Sequence, residues 1–149
     1  MSKFVGAETT AKEETHSRGR VITYWVTTAL LAFVVGSGGI GDITNQWGTL
    51  ETVEILGYPV YFLTIIGAWK VLGAIAILVP SLQRIKEWAY AGIFFEMTGA
   101  AASHAFVGDY GAYAYHIFAT LGFTALALVS WALRPKNRNF KEVMRLSAI

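Results

Sequence analysis

The chain has 149 residues, of which 54% are hydrophobic and only 15% charged, with a mean hydropathy of +0.46. A soluble domain of this size needs far more polar surface, and the apolar residues fall in blocks, so the composition marks a membrane protein. The formal net charge of +2 is too small to point to nucleic acid. The absence of cysteine excludes dithiol chemistry, haem attached through Cys-x-x-Cys-His and thiolate-held iron–sulfur clusters.

Residues 1–20 are polar and mixed in charge. They carry no apolar run, so they read as a cytoplasmic tail, mobile for most of its length, and not as a cleavable signal. Four apolar blocks follow, at 21–40, 61–80, 87–107 and 115–133. Each supplies roughly the 20 residues that a 30 Å hydrocarbon core needs at a rise of 1.5 Å. Backbone polar groups in lipid must be satisfied within the chain, so each block is expected to be a helix. The fold class is therefore an all-α, four-helix transmembrane bundle, with the membrane domain spanning 21–134. The long first connection contains Leu50, Val53 and Leu56 at helical spacing, then Gly57 and Pro59. That predicts a short amphipathic helix stopped by Gly57, with the next helix starting at Pro59. Residues 135–149 form a basic tail, either an interfacial helix or a frayed end.

Charge sets the orientation. Arg18 and Arg20 precede the first span, Arg84 and Lys86 lie between the second and third, and Arg134, Lys136, Arg138, Lys141 and Arg145 follow the fourth. The other two connections carry no Lys or Arg. The positive-inside rule then places both termini in the cytoplasm, in a multi-pass protein of the bacterial inner membrane.

Lys70 stands in the middle of the second span and Glu96 in the middle of the third. A charge at the bilayer centre costs about 2.5–3.5 kcal/mol, so two at one depth on consecutive helices are expected to face each other. Gly67, Gly73 and Ala74 around Lys70, and Gly92, Gly99, Ala100 and Ser103 around Glu96, are small residues of the kind that let helices approach. Such a pair either fixes helix register or works on a ligand or a proton.

A second polar group is expected at the outer level, from Asp42, His104, Asp109 and His116. It reads as interfacial hydrogen bonding, as a polar mouth above the Lys70–Glu96 pair, or as a pair of metal-ligating histidines; no metal signature is present. Among the aromatics Trp25 and Trp69 lie deepest, as core, lipid contact or the wall of a flat-ring site. The run Gly-Ser-Gly-Gly at 36–39 lacks a phosphate-loop lysine and reads as a loosened helix end.

The stretches LGYPVYFLTIIGAWKVLGAIAILVP, LQRIKEWAYAGIFFEM and SHAFVGD, in this order and spacing, resemble the DoxX-like membrane proteins. The likeness covers about residues 24–134. It implies a four-helix membrane protein and, through the wider DoxX/DoxD group, an association with membrane redox complexes such as a thiosulfate:quinone oxidoreductase. Lys70, Glu87, His104 and Asp109 match motif positions without carrying assigned roles. The function expected on these grounds is an accessory subunit of a membrane redox system with a lipophilic, quinone-sized pocket. Structural or assembly work, and proton-coupled transport, are the alternatives. The partners expected are the bilayer, an oxidoreductase and a second copy of the chain. Lys70, Glu96, His104, Asp42, Asp109, His116, Trp25, Trp69 and Gly99 are the candidate ligand or proton-path residues.

Overall fold

A computed structural model describes residues 2–108, 111 and 114–134, with side chains from 18 onward. The described residues form helices α1 (Ser2–Thr44), α2 (Thr49–Ile55), α3 (Tyr61–Leu78), α4 (Gln83–Phe106) and α5 (Tyr115–Leu133). Three stretches are long and apolar enough to cross a membrane: Arg18–Thr44, Tyr61–Leu78 and Tyr115–Leu133. Among the described residues every regular element is a helix, and these stretches give the chain its membrane-helix character. Helix α4 has 24 residues, but Lys86, Glu87, Glu96 and His104 dilute its hydropathy.

Two differences from the sequence reading concern α1. The tail expected to be mobile is helical from Ser2, continuous with the first apolar block; Ala, Glu and Lys, which favour helix, are frequent in it. At the other end α1 runs on to Thr44, so Gly36–Gly39 lies inside the helix and is no loosened end. The basic tail at 135–149 lies outside the described residues.

The first connection holds the short helix closed at Gly57 that its spacing predicts, whereas the next helix starts two residues after Pro59. Val53 of α2 is buried. Gly57 adopts φ 73°, where the lack of a Cβ removes the steric cost. Its N–H bonds the Glu54 carbonyl at 3.1 Å, and the Tyr58 N–H bonds that of Val53 at 3.0 Å. This paired closure ends α2 by satisfying its last carbonyls. Helix α3 then starts at Tyr61, just past Pro59.

The long helices pack as neighbours in the order α1, α3, α4, α5 and back to α1, with α1 closest to α3. Leu31, Val35, Ile77, Ile93, Met97 and Ala127 from all four form the core. Gly39 and Gly67 make the tight crossing of α1 on α3. A Cβ at Gly67 would fall 2.6 Å from the Gly39 carbonyl oxygen, and one at Gly39 would fall 2.7 Å from both the Gly67 oxygen and the Lys70 Cβ.

Candidate functional site

The close approach of α1 to α3 sets the surroundings of Lys70. With no side chain on Gly39, the Lys70 stem lies against the α1 backbone. Asp42 stands one helical turn further along α1, within reach of the ammonium. Lys70 Nζ donates a hydrogen bond to Asp42 Oδ2 at 2.8 Å. Glu96 Oε1 of α4 lies 3.0 Å from the same nitrogen. The expected pair is thus a triad drawn from three helices, and its hydrogen-bonded, more buried carboxylate is Asp42. That corrects the placement of Asp42 among the outer-mouth groups. The lysine stem reaches a full turn along α3, and α1 outlasts the block expected to end at residue 40. With all three groups ionised the triad carries one net negative charge, so a single proton shared by the carboxylates makes it neutral.

The glycines around the triad divide into two sets. Gly67 and Ala74 face α1, where a Cβ at Gly36 would meet that of Ala74 at 3.4 Å. A Cβ at Gly73, Gly92 or Gly99 would meet nothing within 4 Å. Helical periodicity puts Ile93 and Met97, both buried, on one side of Glu96 and Gly92 and Gly99 on the other. Gly99, expected in a packed interior, is instead exposed. These three glycines, on the helices that carry Lys70 and Glu96, face open space. The two side chains keep 17% and 21% of their surface exposed.

His104 and His116 do come together. His104 is buried, and the rings stack with centroids 4.7 Å apart and planes 29° from parallel. They form a separate contact of α4 on α5. Among the described residues no group of three or more His, Cys, Asp or Glu is arranged to hold a metal ion. Asp109 lies outside the described residues. Trp69 is 68% exposed and Trp25 40%, so neither lines the interior; Trp25 meets Tyr24 edge-on at 5.3 Å.

A second polar cluster, on the far side of the apolar core from the triad, escaped the sequence reading. Thr28 and Ser130 hydroxyls are 2.7 Å apart, and Tyr90 and Ser130 hydroxyls 2.8 Å. All three residues are buried, and they tie α1, α4 and α5 together. The available signal was Thr28 and Ser130, two hydroxyls within apolar blocks, where each must find a partner on another helix. Lys86, read as a loop cation, is also buried here, and it donates to the Tyr24 hydroxyl at 3.5 Å. Beside it Glu87 accepts from Trp131 Nε1 at 2.9 Å and pairs with Arg134.

Fold and site together define a polytopic helical membrane protein with an ionisable triad among its helices. The chain belongs to the DoxX-like family, whose model matches residues 26–130. That match takes in the whole triad and the hydroxyl cluster of Thr28, Tyr90 and Ser130. No curated protein and no solved structure gives a significant match.

Proposed function

We propose that this protein is an accessory subunit of a membrane redox system, and that the Lys70 triad holds the polar edge of a lipid-borne quinone entering between α3 and α4. The observation that carries this reading is the partial exposure of Lys70 and Glu96, on helices where a Cβ at Gly73, Gly92 or Gly99 would meet nothing. A lysine ammonium has three N–H donors, and two carboxylates occupy two of them. The third is left for a ring carbonyl oxygen. Reduction of a quinone to its quinol takes two electrons and two protons. A partner oxidoreductase supplies the electrons, and the carboxylates of the triad pass protons to the ring oxygens. In this reading α4 is a fourth span, making a four-helix bundle with both termini in the cytoplasm of a bacterial cell.

Quenching of tryptophan fluorescence by a soluble quinone analogue tests the binding step, because Trp69 is the neighbour of Lys70 in sequence. Saturable quenching in the wild type, weakened at least tenfold in Lys70→Met with Glu96→Gln, is the expected result. A wild type without saturable quenching removes the redox reading. The second reading is then a structural one, favoured by the triad's own geometry: it joins α1, α3 and α4 and leaves no charge alone. Orientation is tested separately. Asn45→Cys should react with an impermeant thiol reagent outside intact cells and Ser81→Cys should not; the reverse pattern inverts the topology.

A further inference from the structure

The end of the molecule that carries the α3–α4 turn holds a cation that has no counter-ion among the described residues. Lys86 is only 3% exposed. Among the described residues its one hydrogen-bond partner is the Tyr24 hydroxyl, at a long 3.5 Å. The nearest carboxylate in sequence, Glu87, is taken by Trp131 and Arg134. Arg134 repeats the pattern: Nη2 serves Glu87, whereas Nη1 is buried with no hydrogen-bond partner among the described residues. Burial, and secondly the positive charge of Arg134, push the Lys86 ammonium below its usual range. Arg20 brings a third cation to this end, through Nη2 bonded to the Ala132 carbonyl at 3.3 Å.

A buried cation with unused donors is costly unless an anion meets it. A lysine with one long bond leaves two N–H groups unused, and the planar Arg134 fork offers Nη1 as well. Such donors on separate helices suit the several oxygens of one tetrahedral oxyanion better than a single carboxylate. The helix ends are also where lipid headgroups lie, and basic pockets between spans take phosphate-bearing heads.

We propose that Lys86, Arg134 Nη1 and the Tyr24 hydroxyl form a binding site for a phosphate group, carried by a phospholipid headgroup or free in solution. This site is independent of the Lys70 triad, which lies across the apolar core from it.

The full chain, purified and delipidated in detergent, is titrated with dioleoylphosphatidylglycerol and followed by native mass spectrometry. Dioleoylglycerol, which lacks the phosphate, is the control. In parallel, its melting temperature is measured with inorganic phosphate against chloride at matched ionic strength. A single retained phospholipid, absent with dioleoylglycerol, supports the headgroup source. A rise in melting temperature with inorganic phosphate supports the free ion. Lys86→Met removes a buried unpaired charge and so should keep the fold; it should weaken either interaction at least tenfold, as should Arg134→Gln. Retained binding in both variants overturns the proposal, and so does a wild type that responds in neither arm.

Discussion

Along the seam between α1 and α3, Gly39 and Gly67 stand where any Cβ would strike backbone. Where α3 meets α4 through Lys70 and Glu96, Gly73, Gly92 and Gly99 of these two helices are positions where a Cβ would strike nothing. Lys70 belongs to both seams, with its Cβ against Gly39 and its ammonium against Glu96. The first set of glycines brings two helices together so that Asp42 can reach the lysine. The second set leaves room beside the charges. Small residues near an intramembrane charge therefore have two distinct uses, contact and space, and the two respond oppositely to the same substitution.

The charge common to both seams should give the largest effect. Lys70→Met leaves two carboxylates together with no cation, and breaking a buried ion pair in this way costs about 3–5 kcal/mol. The triple variant with Asp42→Asn and Glu96→Gln should recover most of that loss. Unfolding in a denaturing detergent gives the comparison, and equal losses in single and triple variants would show that the groups do not interact.

The two carboxylates rank the seams next. Asp42 keeps only 8% of its side chain exposed and accepts the lysine's hydrogen bond at 2.8 Å. Glu96 is more open. A hydrogen bond to a charged group contributes about 1.5–3 kcal/mol. Asp42→Asn should lose an amount in that range, and Glu96→Gln less, by the same unfolding measurement. The opposite order would make α3–α4 the tighter seam.

Gly67→Ala follows. Its new Cβ would lie 2.6 Å from the Gly39 oxygen and 2.9 Å from the Asp42 Cβ. Neither neighbour is a flexible tip, so the helices must part. Overpacking of this kind costs about 1–3 kcal/mol. It should also lengthen the Lys70–Asp42 contact, so Gly67→Ala and Asp42→Asn combined should lose less than their sum.

The sequence made the charged centre legible because a lysine in an apolar block has few tolerable neighbours, and Glu96 sits at the matching depth on the next helix. It hid the role of Asp42. Counted from the loop, Asp42 belongs to the outer level; only a long lysine stem lying over a glycine brings the two together. Small residues were visible around both charges, but which helix each one faces depends on how the neighbours are rotated. Gly67 and Gly73 flank Lys70 at equal spacing and end in opposite surroundings. The cluster of Thr28, Tyr90 and Ser130 was legible only as isolated polar groups, since their pairing spans three helices. Lys86 looked solvated because it lies in a charged stretch, yet its side chain is buried with its ammonium against the Tyr24 hydroxyl.

The smallest expected effect is the most specific to the comparison. Gly99→Ala adds a Cβ where nothing lies within 4 Å, on an exposed face of α4. The clash that punishes Gly67→Ala is absent. What remains is the backbone term: glycine in a helix interior is worse than alanine by roughly 0.5–1 kcal/mol. Gly99→Ala should therefore stabilise the protein by up to that amount, so the same change has opposite signs at two glycines of the same bundle. Gly99→Leu then separates space from stability. Its side chain should fill the open space beside Gly99 while α4 stays folded, leaving the helical circular dichroism unchanged and weakening any saturable quinone quenching. Destabilisation by Gly99→Ala as large as that by Gly67→Ala would mean that α4 is covered on this face. This face would then be a closed helix contact, and the triad would hold the bundle together without meeting a ligand.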